Sequence, residues 1–183
     1  MAFRFAIFLL VFLSAPLFSS HISSFAQESV LSVYLTPTPV QYTLPYPGIL
    51  PDHPLYFLKQ WRDNVLLFFT RNPVKKAQLY LLLGNKKLVM FQQLFEKQNL
   101  NLSLTILEEG ERNLLTSSSM VADLKRIKSL PNGLDEEHIL SAKKHEEIIT
   151  TAIQLSNDTD IQSRLTIILR LTHQANQQLS SSQ

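Results

Sequence analysis

The chain has 183 residues, 17 basic and 15 acidic side chains, a formal net charge of +2 and no cysteine. The missing thiols exclude disulfides, thiolate catalysis, a lipid-modified cysteine and cysteine metal sites, so a packed core has to supply the stability. Near-neutral charge argues against nucleic acid, whose binding domains are strongly basic.

Residues 1–26 read as an export signal. Arg4 gives a short basic start, residues 5–18 are an almost unbroken apolar run, and Ser24-Phe25-Ala26 puts small residues at −3 and −1 of a cut before Gln27. A spanning helix needs ~20 apolar residues, and Pro16 interrupts this run, which favours a cleaved signal over an uncleaved anchor. Arg4 keeps its end in the cytoplasm in both cases. The expected location is therefore extracytoplasmic (secreted, periplasmic or cell surface), with membrane anchoring if the signal is retained.

Residues 27–53 form a proline-rich linker, with Pro37, Pro39, Pro45, Pro47 and Pro51 before Pro54. That density favours an extended, semi-rigid path. Packing of Tyr34, Tyr42 and Tyr46 back onto the domain is an equal alternative.

Residues 54–180 read as an all-α antiparallel bundle of four to five helices, followed by a disordered tail over 181–183. In the first helix Pro54 occupies the opening turn, with Asp52 or His53 as cap. Leu55, Leu58, Trp61, Val65 and Phe68 form its inner stripe, with Lys59, Arg62 and Asp63 opposite. Asn72 caps and Pro73 opens a second helix to about residue 97, with Ala77, Tyr80, Leu81, Leu88, Phe91 and Phe95 inward. Gly84 inside it marks a close helix crossing.

A third helix spans residues 100–130, weakened in its middle by Gly110 and Ser117-Ser118-Ser119. Pro131-Asn132-Gly133 is a turn. Asp135 starts a fourth helix with Ile139, Ala142, Ile149, Ala152 and Ile153 in the core. Asn157-Asp158 caps a fifth, striped by Ile161, Leu165, Ile168, Thr172, Ala175 and Leu179.

One segment goes beyond periodicity. Leu50-Pro51-Asp52-His53-Pro54-Leu55-Tyr56-Phe57-Leu58-Lys59, then Arg62-Asp63, then Thr70-Arg71-Asn72-Pro73-Val74-Lys75-Lys76-Ala77-Gln78-Leu79, then Asn85-Lys86-Lys87-Leu88 resembles a domain of unknown function from exported and surface-associated bacterial proteins. The resemblance covers residues 50–88. Gly84-Asn85-Lys86-Lys87-Leu88 departs from the family's alanine-acid-x-arginine-leucine. It implies an extracytoplasmic helical module with a structural or regulatory role, and no catalytic residue to carry over. Pro54, Leu55, Tyr56, Leu58, Trp61, Pro73, Ala77 and Leu81 are its expected fold anchors.

Charge is uneven along the chain. Residues 53–100 hold eight Lys/Arg against two acids, and residues 101–183 eight against eleven. Basic faces pairing with acidic ones inside the domain explain this most simply. The sharper reading makes Lys59, Arg62, Arg71, Lys75, Lys76, Lys86 and Lys87 a contact surface for anionic lipid or wall polymer.

His138 and His145, set among Glu136, Glu137, Glu146 and Glu147, read as part of a solvated charged face. They stand seven residues, about 10 Å, apart on one helix, so a metal would need ligands from another helix, such as His173. No nucleophile elbow surrounds any serine. No enzyme, cofactor or metal is expected. The expected function is association with an envelope surface or a protein partner, with membrane contact only through the N-terminal segment or weakly through the basic hairpin. The alternative is a ligand-binding or chaperone-like sensor using an apolar groove, which exposed Phe69, Tyr80 or Phe91 in one patch would favour.

Overall fold

Five α-helices and no strand occupy the described residues, 39–181, of a computed structural model. The signal segment, the linker before residue 39, Tyr34 and residues 182–183 of the tail lie outside the described residues. The helices are α1 Tyr56–Phe69, α2 Pro73–Glu96, α3 Leu100–Arg126, α4 Leu134–Leu155 and α5 Thr159–Ser180.

Local chemistry sets the boundaries. Asn72 Oδ1 accepts the Lys75 N–H at 3.0 Å with Pro73 in the first turn of α2, and Asp158 accepts the N–H groups of Asp160 and Ile161 at the start of α5. Helices α2 and α3 end alike. Gln98 and Lys128 adopt positive φ of 61° and 53°, and the next residue's N–H reaches back to Leu94 O and Leu124 O, each at 2.9 Å. This is a Schellman cap with glycine absent from its usual place.

Helix α3 runs without a break through Gly110 and the serines. A Cβ on Gly84 would lie 3.1 Å from Gly110 O, and one on Gly110 would lie 3.0 Å from Lys87 Cβ. The two glycines therefore let α2 and α3 approach closely. Ser117 points across to α2, where its Oγ lies 2.5 Å from the Ala77 carbonyl, instead of competing with its own helix backbone.

The core has three layers between α2 and α5, and a further buried cluster of Met90, Leu94 and Ile106 with Leu50 and Tyr56 packed against it. Leu88, Phe91, Leu104, Leu107, Ile149, Ile161 and Leu165 fill one end. Leu81, Leu114, Ala142 and Ala175 form the middle, and Ala77, Val121, Leu134 and Leu179 the other end. Successive helices from α2 to α5 thus alternate in direction. Helix α3 packs on α2 and α5, and α5 on α4. The fifth-helix stripe is buried at all six expected positions.

Residues 39–55 form a strap on this bundle. Val40 N–H donates to Glu147 Oε2 at 2.8 Å, Leu44 packs on the first core layer, and Leu50 packs with Tyr56 on Met90, Leu94 and Ile106. Tyr42 packs back onto the domain, whereas Tyr46 is exposed.

Helix α1 departs from expectation. It begins at Tyr56, two residues after Pro54, and Leu55 caps it without a side-chain bond; His53 Nδ1 instead accepts the Leu55 N–H at 3.1 Å. None of its residues is buried. Tyr56, Lys59, Asp63 and Leu67 form a half-buried stripe; of the five residues expected inside, Val65 is half-buried, whereas Leu55, Leu58, Trp61 and Phe68 are exposed. Four helices already close the core, so no slot is left for that arc. Tyr56 and the Lys59 ammonium, drawn to the strap carbonyls, fix which side of α1 faces the bundle.

Candidate functional site

Two arrangements stand out: a polar ladder sealed inside the bundle and the outward face of α1. The ladder joins the strap and α2 to α5. Thr172 Oγ1 donates to Glu111 Oε2 at 2.7 Å, and Glu111 Oε1 lies 2.6 Å from His145 Nδ1. His145 Nε2 lies 2.9 Å from Asn85 Oδ1, which also accepts from Ser141 Oγ at 2.6 Å. Asn85 Nδ2 donates to the Tyr42 hydroxyl at 2.8 Å. Both ring nitrogens of His145 face oxygen atoms, so each is held by a partner from a different helix. Burial, the largest cause, pushes the Tyr42 phenol above its usual range, with the Ser141 hydrogen bond opposing it.

A second buried pair lies one turn pair away. His138 Nδ1–H donates to Leu134 O at 2.7 Å, and His138 Nε2 lies 2.8 Å from Ser117 Oγ. Desolvation pulls His138 below the ordinary histidine range, against the Leu134 hydrogen bond and the Asp135 charge. A serine at hydrogen-bond distance from a histidine has the outline of a nucleophile and base. Both side chains, however, have no solvent exposure, so no substrate reaches them.

The solvated-face reading of His138 and His145 is therefore corrected: both are core residues. His173 is the exposed one, 3.3 Å from Glu146. The four ring nitrogens of His138 and His145 all serve hydrogen bonds within the core. Among the described residues, no group of three or more His, Asp or Glu could hold a metal ion, and only the Ser118 hydroxyl is buried without a partner.

The α1 arrangement is the reverse, apolar and open. At 3.6 residues per turn, Phe57, Leu58, Trp61, Phe68 and Phe69 share the arc opposite the half-buried stripe. Phe57 is 63 %, Trp61 69 %, Phe68 80 % and Phe69 72 % exposed, with the last two rings edge to face at 5.3 Å. Covering a side chain of this size stabilises by about 1.5–3 kcal/mol. Beside the arc, a groove of about 430 Å³ runs between the strap at Tyr46 and Ile49 and the side chains of Leu58, Arg62 and Lys86.

The seven expected cations divide. Lys59 turns inward and donates to Pro47 O at 2.5 Å and Ile49 O at 3.2 Å. Desolvation pulls it down to about 8, opposed by Asp63 and reinforced by Lys86, Arg62 and Lys87. Lys87 pairs with Glu109 of α3 at 2.7 Å. These two leave the expected contact surface, because the strap carbonyls and Glu109 claim their charges. Arg62 is exposed and pairs with its neighbour Asp63 at 2.7 Å. Arg71, Lys75, Lys76 and Lys86 form no ion pair among the described residues, and Arg71 and Lys75 are exposed.

Among the anchors, Ala77 and Leu81 are core residues, Pro73 opens α2 and Tyr56 is half-buried. Pro54, Leu55, Leu58 and Trp61 are exposed. Phe91 is 1 % exposed and belongs to the core, so Phe69, Tyr80 and Phe91 form no common patch. Sequence reasoning passed over Asn85, Glu111, Ser117, His138 and Ser141 as buried groups. The signal was present: Asn85 falls between Leu81 and Leu88, Glu111 between Leu107 and Leu114, and His138, Ser141, His145 and Ile149 follow each other at three- and four-residue steps.

No helix among the described residues is long and apolar enough to cross a membrane. No curated protein and no solved structure matches the chain. A family model, described as a domain of unknown function (DUF5667), matches residues 48–180. The match reaches from the strap to the end of α5, well beyond the residues that carry the resemblance, and the chain belongs to this family.

Proposed function

We propose that the chain is an exported, non-catalytic helical module that associates with the cell envelope or a protein partner. The observation carrying this reading is α1, whose apolar arc faces away from the bundle while its charged Lys59 and Asp63 face inward. A helix arranged this way gains from being covered, and exposed apolar surface of this kind marks interaction sites. The non-catalytic part is supported by the burial of both His-centred constellations, which act as internal struts. Export rests on the order of Arg4, the apolar run and Ser24-Phe25-Ala26.

Fractionation of cells carrying the full chain with a C-terminal tag tests the reading. The expected result is a mass starting at Gln27 in the exported fraction and retention on the envelope that Phe57→Ser/Phe68→Ser abolishes. A full-length mass in the cytoplasm, or retention indifferent to the substitutions, would contradict it.

A ligand-binding role has one observation in its favour. A groove of about 350 Å³ opens between Leu44 of the strap, Phe91 and Phe95 of α2, and Ile148 and Leu155 of α4, with Lys144 and Glu147 at its side. Its size suits a small apolar molecule. Stabilisation of the purified chain by fatty acids, lost in Leu44→Arg, would favour that role.

A further inference from the structure

We infer that α1 is an interfacial helix whose occupant is the headgroup and upper acyl region of an anionic lipid bilayer. This deepens the association reading above and rests on it. The apolar arc offers Phe57, Trp61, Phe68 and Phe69, all more than half exposed. Aromatic side chains of this kind favour the boundary between headgroup and acyl chain. At 14 residues the helix is about 21 Å long, too short to span a bilayer and long enough to lie in its surface.

Charge selects lipid among the possible occupants. Residues 56–76 contain five cations, of which Lys59 turns inward onto the strap, and one acid, Asp63, which sits on the bundle side of α1 next to Arg62. Arg62 flanks the arc, Lys86 shares the adjoining groove with Leu58, and Arg71 and Lys75 follow Phe69 as exposed cations. A second copy docking through the same arc would bring these like charges together across an isologous contact. An anionic bilayer meets them with opposite charge while accepting the rings. Their long stems let the cations reach headgroups from beside the buried face.

Trp61 is the single tryptophan of the chain, so intrinsic fluorescence reads this helix alone, whatever residues 1–26 do. The purified full chain is titrated with vesicles of phosphatidylcholine, and of phosphatidylcholine and phosphatidylglycerol in equal parts. On the mixed vesicles the Trp61 emission is expected to move to the blue and to be quenched by lipids brominated on their acyl chains. Binding should fade as salt rises from ~0.01 M to ~1 M, where the Debye length falls from about 30 to 3 Å.

Phe57→Ser/Phe68→Ser should weaken partitioning by about tenfold or more, and Arg71→Gln/Lys75→Gln should weaken it on mixed vesicles only. Circular dichroism and urea midpoint check that each variant is folded. A Trp61 signal that stays water-like while the chain floats with the vesicles would overturn the inference and leave the association reading standing. The same holds for an equal shift on phosphatidylcholine alone, or a lipid-free shift that grows with protein concentration. Loss of the association reading would show separately, as envelope retention in cells that the α1 substitutions do not change.

Discussion

Glu111 and His145 meet at 2.6 Å with no exposure on either side chain. Thr172 occupies the other carboxylate oxygen, and Asn85 the other ring nitrogen. A buried pair of this kind is costly to break from one side, since the remaining partner stays buried without a counterpart. Glu111→Ala should lower stability by about 3–5 kcal/mol, and the milder Thr172→Val, which strips one donor from the carboxylate, by about 1–3 kcal/mol. Urea melts of both variants check the order, and losses no larger than those of surface substitutions would show that the ladder is not closed. His138 gives a pH signature. Its folded-state value lies below that of the unfolded chain, so as pH falls below about 6.5 the unfolded chain takes up a proton that the native ring resists. Stability should fall from there downward. Imidazole shifts followed by NMR should show His138 titrating below the ordinary range in the native protein; titration at or above that range would contradict its sealed environment. The histidines were misread in the sequence because the acids beside them look like a solvated face. Their own spacing relative to Ser141 and Ile149 belongs to the buried stripe.

Helix boundaries were the most legible features, because capping and turn chemistry is local: Asn72-Pro73, Pro131-Asn132-Gly133 and Asp158 all act where their types place them. The Gly84 crossing was legible too, although its partner Gly110 looked like a weak point of α3. Gly84→Ala gains about 1 kcal/mol in helix propensity but sets a methyl 3.1 Å from a backbone oxygen that cannot step aside. Overpacking of this kind costs about 1–3 kcal/mol, so a net loss in thermal stability is expected, and a net gain would mean that the two helices can separate freely. At the end of α2, Gln98 holds a left-handed φ of 61°. Gln98→Gly should raise the urea midpoint by the equivalent of about 0.5–1 kcal/mol, the relief of side-chain strain outweighing the added freedom of the unfolded chain. Helix α1 was legible as an element and not in its orientation. Its amphipathic pattern says which residues share a face, and the closure of the other four helices, with Tyr56 and Lys59 anchored at the strap, decides which face turns inward.

The whole molecule divides its chemistry by location. Among the described residues, the His138 and His145 constellations are locked inside the bundle, while large apolar side chains stand exposed on α1. The all-helical architecture follows from periodicity alone, since no strand pattern competes with it. The partner does not follow from periodicity, because an arc of Phe, Trp and Leu reads the same whether it faces a core or a bilayer. Substitutions on that arc should therefore separate binding from folding: Phe68→Ser is expected to change the urea midpoint by no more than about 0.5 kcal/mol in equivalent stability. The most direct measurement of the outward orientation is acrylamide quenching of Trp61 in the free full-length chain, compared with the same chain in urea. Emission typical of indole in water, with quenching close to that of the unfolded chain, is the expected result. A blue-shifted, shielded Trp61 that becomes accessible only on unfolding would put the apolar arc inside the protein and remove the basis for α1 as an association surface.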